Sequence, residues 1–335
     1  MPYKESVRVR MMKEQEDKFD VDPDWVMRQV TDLVPEGGSL DQQVRKLNNT
    51  YFDTSGSGVR LFGITLRRRV GGSETGWQLK VPNGTYRTEL QSGSRAKTLP
   101  SALAEGVAGL LAGESLEPVA TIVTTRTAYR SLNVDGKLVM EIADDQVESG
   151  PPDGESMLHS WREVEVELGP GGTKKDLKRA RKLLLTAGAS PSISRTKLDH
   201  ALAPASPDGQ AATVESGTVG ELVAAYVTAQ CDVLASNDVG MRTGTPAVHK
   251  TRVAVRRLRS TLRVFDDVVE RHLPRNSTTS WCGTPTYLAG FAIRTFSAAG
   301  WPSNLPNCRH SSVAGRSRPR SPRLWRRNVR RRWRA

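Results

Sequence analysis

Through most of the first 200 positions apolar and polar residues alternate with a period of two. The strictest case is 163–168, where Glu163, Glu165 and Glu167 alternate with Val164, Val166 and Leu168. Residues two apart on a strand share a face, so this pattern predicts one wet or charged face and one packed face. Similar runs over 7–21, 50–54, 59–70, 76–82, 86–90, 119–134, 137–147 and 160–169 predict further strands. Helical spacing interrupts them at 22–34, after an Asp-Pro-Asp start, and at 100–113 and 173–188, the last ending on Gly188. Eight or so strands with few helices predict an α+β protein built on an eight-stranded antiparallel β-barrel.

Residues 204–216 (PASPDGQAATVES) read as a linker, which makes 1–203 a first domain. Beyond it the period becomes helical, over GTVGELVAAYVTAQCDVLASND and PAVHKTRVAVRRLRSTLRVFDDVVE. In the second, Val248, Val255, Leu258, Leu262, Phe265 and Val269 form an apolar stripe, the start of an all-α segment over 217–270. After Glu270 neither period is sustained, so the helical segment is incomplete.

Charge changes the picture of that last stretch. Of the 49 lysines and arginines, 14 arginines fall in 271–335, which has no lysine and no acid. The remaining 35 basic residues face all 36 acids, so the body is neutral although the whole chain carries +13. The net charge is therefore no argument for a nucleic-acid partner of the main domain, and no specific nucleic acid is expected. For 271–335 two readings stand: an aberrant, frameshifted reading of a GC-rich gene, which is preferred, or a disordered basic arm for nucleic acid or polyphosphate. Cys231, Cys282 and Cys308 are too scattered for a metal cluster or disulfide framework. With no long apolar run and a charged opening segment, a cytoplasmic protein without a membrane span is expected.

The polar strand faces carry charges in like-sign sets. Glu14, Glu16 and Lys18 share one face; Arg67 and Arg69, then Gln78 and Lys80, then Arg87 and Glu89 follow. Arg126 with Arg130, and Glu141 with Asp145, continue the series. A solvated sheet face explains any single strand. Like charges clustered on a sheet are unfavourable without compensation, however, and a free surface mixes its signs. Carboxylates gathered on one face suit a hard divalent cation, and arginine forks and lysine ammonium groups match phosphate oxygens. No dedicated nucleophile is evident, and His159 and His200 read as surface or packing residues.

Glu14-Gln15-Glu16-Asp17-Lys18 fits the ExExK motif of the CYTH superfamily, the triphosphate tunnel metalloenzymes. It is followed in order by YFDT (51–54), LRRR (66–69), WQLKVP (77–82), RTE (87–89), TTRTAYR (124–130), MEIADDQV (140–147), REVEVEL (162–168) and Lys197, so the resemblance spans residues 5–202. It implies a tunnel that hydrolyses or cyclises triphosphate compounds with Mg2+ or Mn2+. Glu14, Glu16, Glu141, Asp145, Glu163 and Glu165 would face the metal. Lys18, Arg67, Arg69, Lys80, Arg87, Arg126, Arg130 and Lys197 would bind phosphates, with Lys18, Glu16 and Arg67 the catalytic candidates. The segment VHKTRVAVRRLRSTLRVF resembles the opening of a CHAD domain, which implies a polyphosphate-binding stripe of His249, Arg252, Arg256, Arg259 and Arg263. The favoured expectation is an inorganic triphosphatase, a hydrolase of phosphoric anhydride bonds acting on triphosphate or short polyphosphate and associated with polyphosphate. A tunnel enzyme for thiamine triphosphate or ATP (adenylate cyclase type), a non-catalytic polyphosphate-binding module, and a homodimer through the helical part stay open.

Overall fold

A hydrogen-bonded antiparallel ladder organises the chain, in the order β1-β6-β5-β4-β3-β7-β8-β9-β2-β10. The computed structural model describes residues 9–71, 75–111, 113–203, 219–245 and 247–265, without the side chains of 221 and 224. The linker 204–216 and the tail 271–335 lie outside the described residues. The strands are β1 (Val9–Glu14), β2 (Glu16–Val21), β3 (Ser39–Asp53), β4 (Thr65–Val70), β5 (Gly76–Asn83), β6 (Tyr86–Ser92), β7 (Glu117–Leu132), β8 (Leu138–Gly150), β9 (His159–Leu168) and β10 (Ser190–Pro191).

The expected closed barrel of eight strands is replaced by an open ladder of ten. The expected first strand is split at Gln15 into β1, which pairs with β6, and β2, which pairs with β9. Between them the Gln15 carbonyl accepts a hydrogen bond from the Leu168 amide at 3.0 Å. The two-residue β10 adds a rung against β2.

The helix expected over 22–34 is instead a single 3-10 turn, Val30–Leu33, entered through Gln29 in a left-handed conformation with φ 56°. Three other expected helices form: α1 (Ser101–Leu111), α2 (Lys174–Thr186) and, past the linker, α4 (Val219–Arg242). Thr173 and Asp176 close a reciprocal capping box on α2. Short α3 (Lys197–Ala201) begins where Thr196 accepts from the Asp199 amide. On α5 (Val248–Val264) the buried stripe is Thr251, Ala254 and Leu258, while Val248 is exposed.

Helices cover the outer face of the ladder. Leu66, Trp77, Leu79, Val81 and Leu90 pack in one core with Leu103, Val107 and Leu110 of α1, Val227, Leu234 and Val239 of α4, and Leu258 of α5. Contact between α1 and α4 is close enough that a Cβ at Gly109 would meet Asp238 Oδ2 at 2.2 Å. A second core joins Phe19, Met140, Ile142, Val164 and Val166 to Leu177, Ala180 and Leu184 of α2. With apolar residues turned outward under the helices, the pleat leaves the charged residues of the same strands on the opposite face. No helix among the described residues is long and apolar enough to cross a membrane.

Candidate active site

That opposite face lines a cavity of about 1290 Å³. Twelve of its lining residues are lysine or arginine and six are glutamate, an excess of six positive charges. Among the residues singled out in the sequence, Glu14, Glu16, Arg67, Arg69, Lys80, Arg87, Arg126, Arg130, Glu141, Glu165 and Lys197 line it. Lys18, Asp145 and Glu163 lie just behind its wall, Asp145 and Glu163 with no exposed surface. His249, Arg252, Arg256, Arg259 and Arg263 are exposed along α5 and do not line the cavity.

At the buried end, Lys197 Nζ stands 2.9 Å from Asp145, 2.6 Å from Glu163 and 2.7 Å from Glu165. Arg126 grips Asp145 through Nε at 2.8 Å and Nη2 at 2.7 Å, and reaches Glu165 at 2.8 Å. Lys18 completes the set, 2.9 Å from Glu163. Three carboxylates thus meet three cations, which is what allows so many charges to be buried together. Burial opposes the charged forms throughout, but Lys197 and Arg126 carry Glu165 well below the usual carboxylate range, and Arg126 and Lys197 lower Asp145. The same carboxylates raise Lys197 and Arg126 above their ordinary values.

Above them lies a more acidic belt. Glu16 and Glu167 are directly opposite across β2 and β9, and Glu141 and Glu167 across β8 and β9. Lys80 bonds Glu14 at 2.5 Å and approaches Glu89 at 3.7 Å, while Arg87 pairs with Glu16 at 3.2 Å. Those cations do not neutralise the belt. Burial first, then Glu16 and Glu89, raises the Glu14 pKa. Desolvation of its carboxyl in the cavity and the charges of Glu14, Glu89 and Glu16, Glu14 the strongest, push Glu167 up to about 8 although the residue as a whole opens to solvent. Glu14 Oε2 is buried with no hydrogen-bond partner among the described residues.

On the β3–β4 wall, Arg67 donates to Gln78 Oε1 at 2.7 Å and to the Tyr51 hydroxyl at 3.1 Å, and Arg69 donates to Asn49 at 2.9 Å. Burial alone would raise the Tyr51 pKa, but Arg67, Lys197 and Arg69 bring it below the ordinary value. Tyr51, Asn49, Arg10, Arg45 and Lys174 are lining residues the sequence reading passed over. Tyr51 opens the YFDT motif and was within reach; Arg45 sits in DQQVRKLNN, too polar to read as a strand. His200, as expected, packs: it stacks on Trp161 with centroids 4.2 Å apart, outside the cavity lining.

The carboxylates pass a test for a metal in two different ways. Asp145, Glu163 and Glu165 offer ligand atoms within 4.8 Å of one another, a group that could hold an ion, but Lys197 Nζ now bridges all three. Glu14, Glu16 and Glu167 crowd three carboxyl groups together, with the Glu14 and Glu167 pKa values raised and Glu14 Oε2 orphaned, the electrostatic setting a hard divalent cation relieves.

Comparison with known proteins gives the context for this geometry. Two Mycobacterium tuberculosis proteins from different strains, both described as uncharacterized, are 31% identical over 266 residues, covering 74% of this chain and 51% of the relative. The chain thus spans about half the length of the curated relatives it matches. A crystal structure of a candidate adenylate cyclase from Bacillus halodurans matches with 17% identity over 56% of this chain and 98% of that one, at a TM-score of 0.37. A Hippeastrum adenylyl cyclase candidate with a dominant triphosphatase activity matches with 14% identity over 56% and 93% at 0.29. At such scores neither structure bears on function. A CHAD domain is found at residues 225–283. The CYTH domain match extends over residues 4–201, more than half of the chain and every strand that lines the cavity, and the chain belongs to the CYTH family.

Proposed function

We propose that the chain is a metal-dependent phosphohydrolase of inorganic triphosphate or short polyphosphate, working in a tunnel between β1–β9. The observation that carries this is the cavity itself, with twelve cations against six carboxylates. A linear phosphate chain is the compact ligand whose charge density answers that excess. The tunnel is supported by the continuity of β1 and β2 through Gln15, with β1 at one end of the ladder and β2 at the other, inside only the two-residue β10. Soluble membership of the polyphosphate-handling cytoplasm belongs to the same reading.

Arg67 and Arg69, oriented by Gln78, Tyr51 and Asn49, present guanidinium forks to phosphate oxygens. Lys80, Arg87, Arg126 and Arg130 add positive charge along the chain, and Lys197 with Lys18 offsets the charge of the buried carboxylates. Glu14, Glu16 and Glu167 would hold the divalent cation, Mg2+ or Mn2+, with Glu141 beside them; Asp145, Glu163 and Glu165 would take one only if Lys197 withdrew. When bound, the metal neutralises terminal phosphate oxygens and lowers the pKa of a water. In hydrolysis the oxygen of water bonds to the terminal phosphorus, the bridging P–O bond breaks, orthophosphate and the shortened chain leave, and the proton of water passes to solvent in the cavity. The fixed arginines meet charge as it develops on the transferred group, without reorganising.

Phosphate release from tripolyphosphate, ATP and thiamine triphosphate by the full chain with Mg2+ or Mn2+ tests the reading. Arg67→Ala should lower kcat on tripolyphosphate about a hundredfold, and Glu16→Ala should make the residual rate insensitive to metal. Preference for ATP or thiamine triphosphate would move the assignment to a nucleotide or thiamine enzyme of the same tunnel. Tight binding without turnover would make the chain a phosphate-binding module.

A further inference from the structure

The cavity has an end at which its wall becomes progressively solvated. Along β9 burial falls from Glu163, with no exposed surface, through half-buried Glu165 to exposed Glu167. Along β3 it falls from Tyr51 and Asn49 to half-buried Arg45 and exposed Gln43, and along β1 from Glu14 to exposed Arg10. Four cations from four elements meet at this mouth: Arg10 of β1, Arg45 of β3, Arg130 of β7 and Lys174 of α2.

Arg130 reaches Asp41 and Glu141 at 3.6 Å each, but the pairing of the other three is unlike that of the deeper cations. Arg45 lies directly across the ladder from Arg126, a like-charge pair that is unfavourable unless an anion answers it. Arg126 has Asp145 and Glu165. Among the described residues Arg45 has no carboxylate partner, and it donates to the neutral Gln43 amide oxygen at 2.7 Å. Arg10 and Lys174 likewise make no ion pair among the described residues. Among the described residues the lining has two aromatic rings, Tyr51 and Tyr86, one deep on β3 and one on β6 beside Arg87, and no described ring stands at the mouth to stack a nucleobase.

We infer that Arg10, Arg45, Arg130 and Lys174 form a subsite for phosphates beyond the third, so that linear polyphosphate longer than triphosphate is held in preference to triphosphate or a nucleotide. The inference rests on the phosphate-chain reading above and names the substrate class within it. A nucleoside would place a neutral ring system among these cations, whereas each further phosphate adds an anion where one is lacking.

Steady-state phosphate release by the full chain from tripolyphosphate and from long-chain linear polyphosphate gives a ratio of KM values. Arg45→Gln, and separately Lys174→Gln, should raise the KM for the long chain relative to tripolyphosphate about tenfold, the loss of one charge-assisted contact. An unchanged ratio overturns the proposal. Arg256→Gln on α5 is the control: if it moves the ratio and Arg45→Gln does not, the preference belongs to α5 and the mouth subsite is refuted. Competition binding of the same two anions without metal separates the two readings. Length-dependent binding that Arg45→Gln abolishes, in a protein that hydrolyses neither anion, keeps the subsite and removes the hydrolase. Hydrolysis of both with equal affinity keeps the hydrolase and removes the subsite.

Discussion

Replacing Lys197 by methionine tests the electrostatics of the buried end most directly. The ammonium lies within 2.9 Å of three carboxylates and is almost wholly buried. At an effective dielectric of about 20, each such contact is worth about 6 kcal/mol of Coulomb attraction, most of it offset by the desolvation of both partners. The net quantity is therefore the cost of leaving one buried carboxylate without its cation, about 3–5 kcal/mol. With about 2–4 °C per kcal/mol, Lys197→Met should lower Tm by roughly 10 °C at neutral pH. The sign of its pH dependence also follows. Asp145 and Glu165 have depressed pKa values, and Lys197 is among the causes of both, so the stability they contribute is present at neutral pH and lost as pH falls through their folded values. In the variant that acid-side loss should shrink. Magnesium should restore more Tm to the variant than to the wild type, because the three oxygens then face a gap an ion can fill. Differential scanning calorimetry from pH 4 to 8, with and without magnesium, reads all three effects. A Tm within 2 °C of wild type, or no difference in the magnesium response, would refute this account of the triad.

Two further outcomes are expected. Glu167, raised to about 8, keeps its proton in the folded state where the unfolded chain has lost it, so stability falls as pH rises from about 4.5 to 8 and then levels; Glu167→Gln should show a Tm gain that grows across that window and is constant above it, and a pH-independent gain in thermal scans would count against the acidic belt. Gly109→Ala should lower the urea midpoint, because the roughly 1 kcal/mol of helix propensity gained is outweighed by about 1–3 kcal/mol for displacing Asp238, whose carboxylate is bonded to Arg242 at 2.8 Å; a higher midpoint would show that α4 gives way without cost.

Which face each strand turns inward was legible from local pattern alone. Glu163 and Glu165 against Val164 and Val166, and Arg67 and Arg69 against Leu66, need only the two-residue repeat to be sorted. What that repeat leaves out is register. Nothing in Glu163-x-Glu165 says that Lys197, over 30 residues on, will be set among them, or that Arg126 will lie opposite Asp145. The like-sign sets that suggested an interior metal are in part answered by cations of other strands, a compensation written only in the pairing. The first half of β3 was hidden for another reason: with one face in the cavity and the other in water, Asp41-Gln42-Gln43 has no apolar residues to alternate. Of the helix expected at 22–34 only the 3-10 turn after left-handed Gln29 forms.

The shared core of β4, β5, α1, α4 and α5 has a practical consequence for anyone who cuts this gene at the linker. Trp77 and Leu79 face α1 and α4, while Lys80 beside them lines the cavity and Gln78 between them holds Arg67 of the cavity wall. Removing everything after the linker would strip a greasy wall from the back of the strand whose front lines the cavity. Loss of activity in such a fragment would then report a collapsed scaffold, and could not be credited to a missing second function.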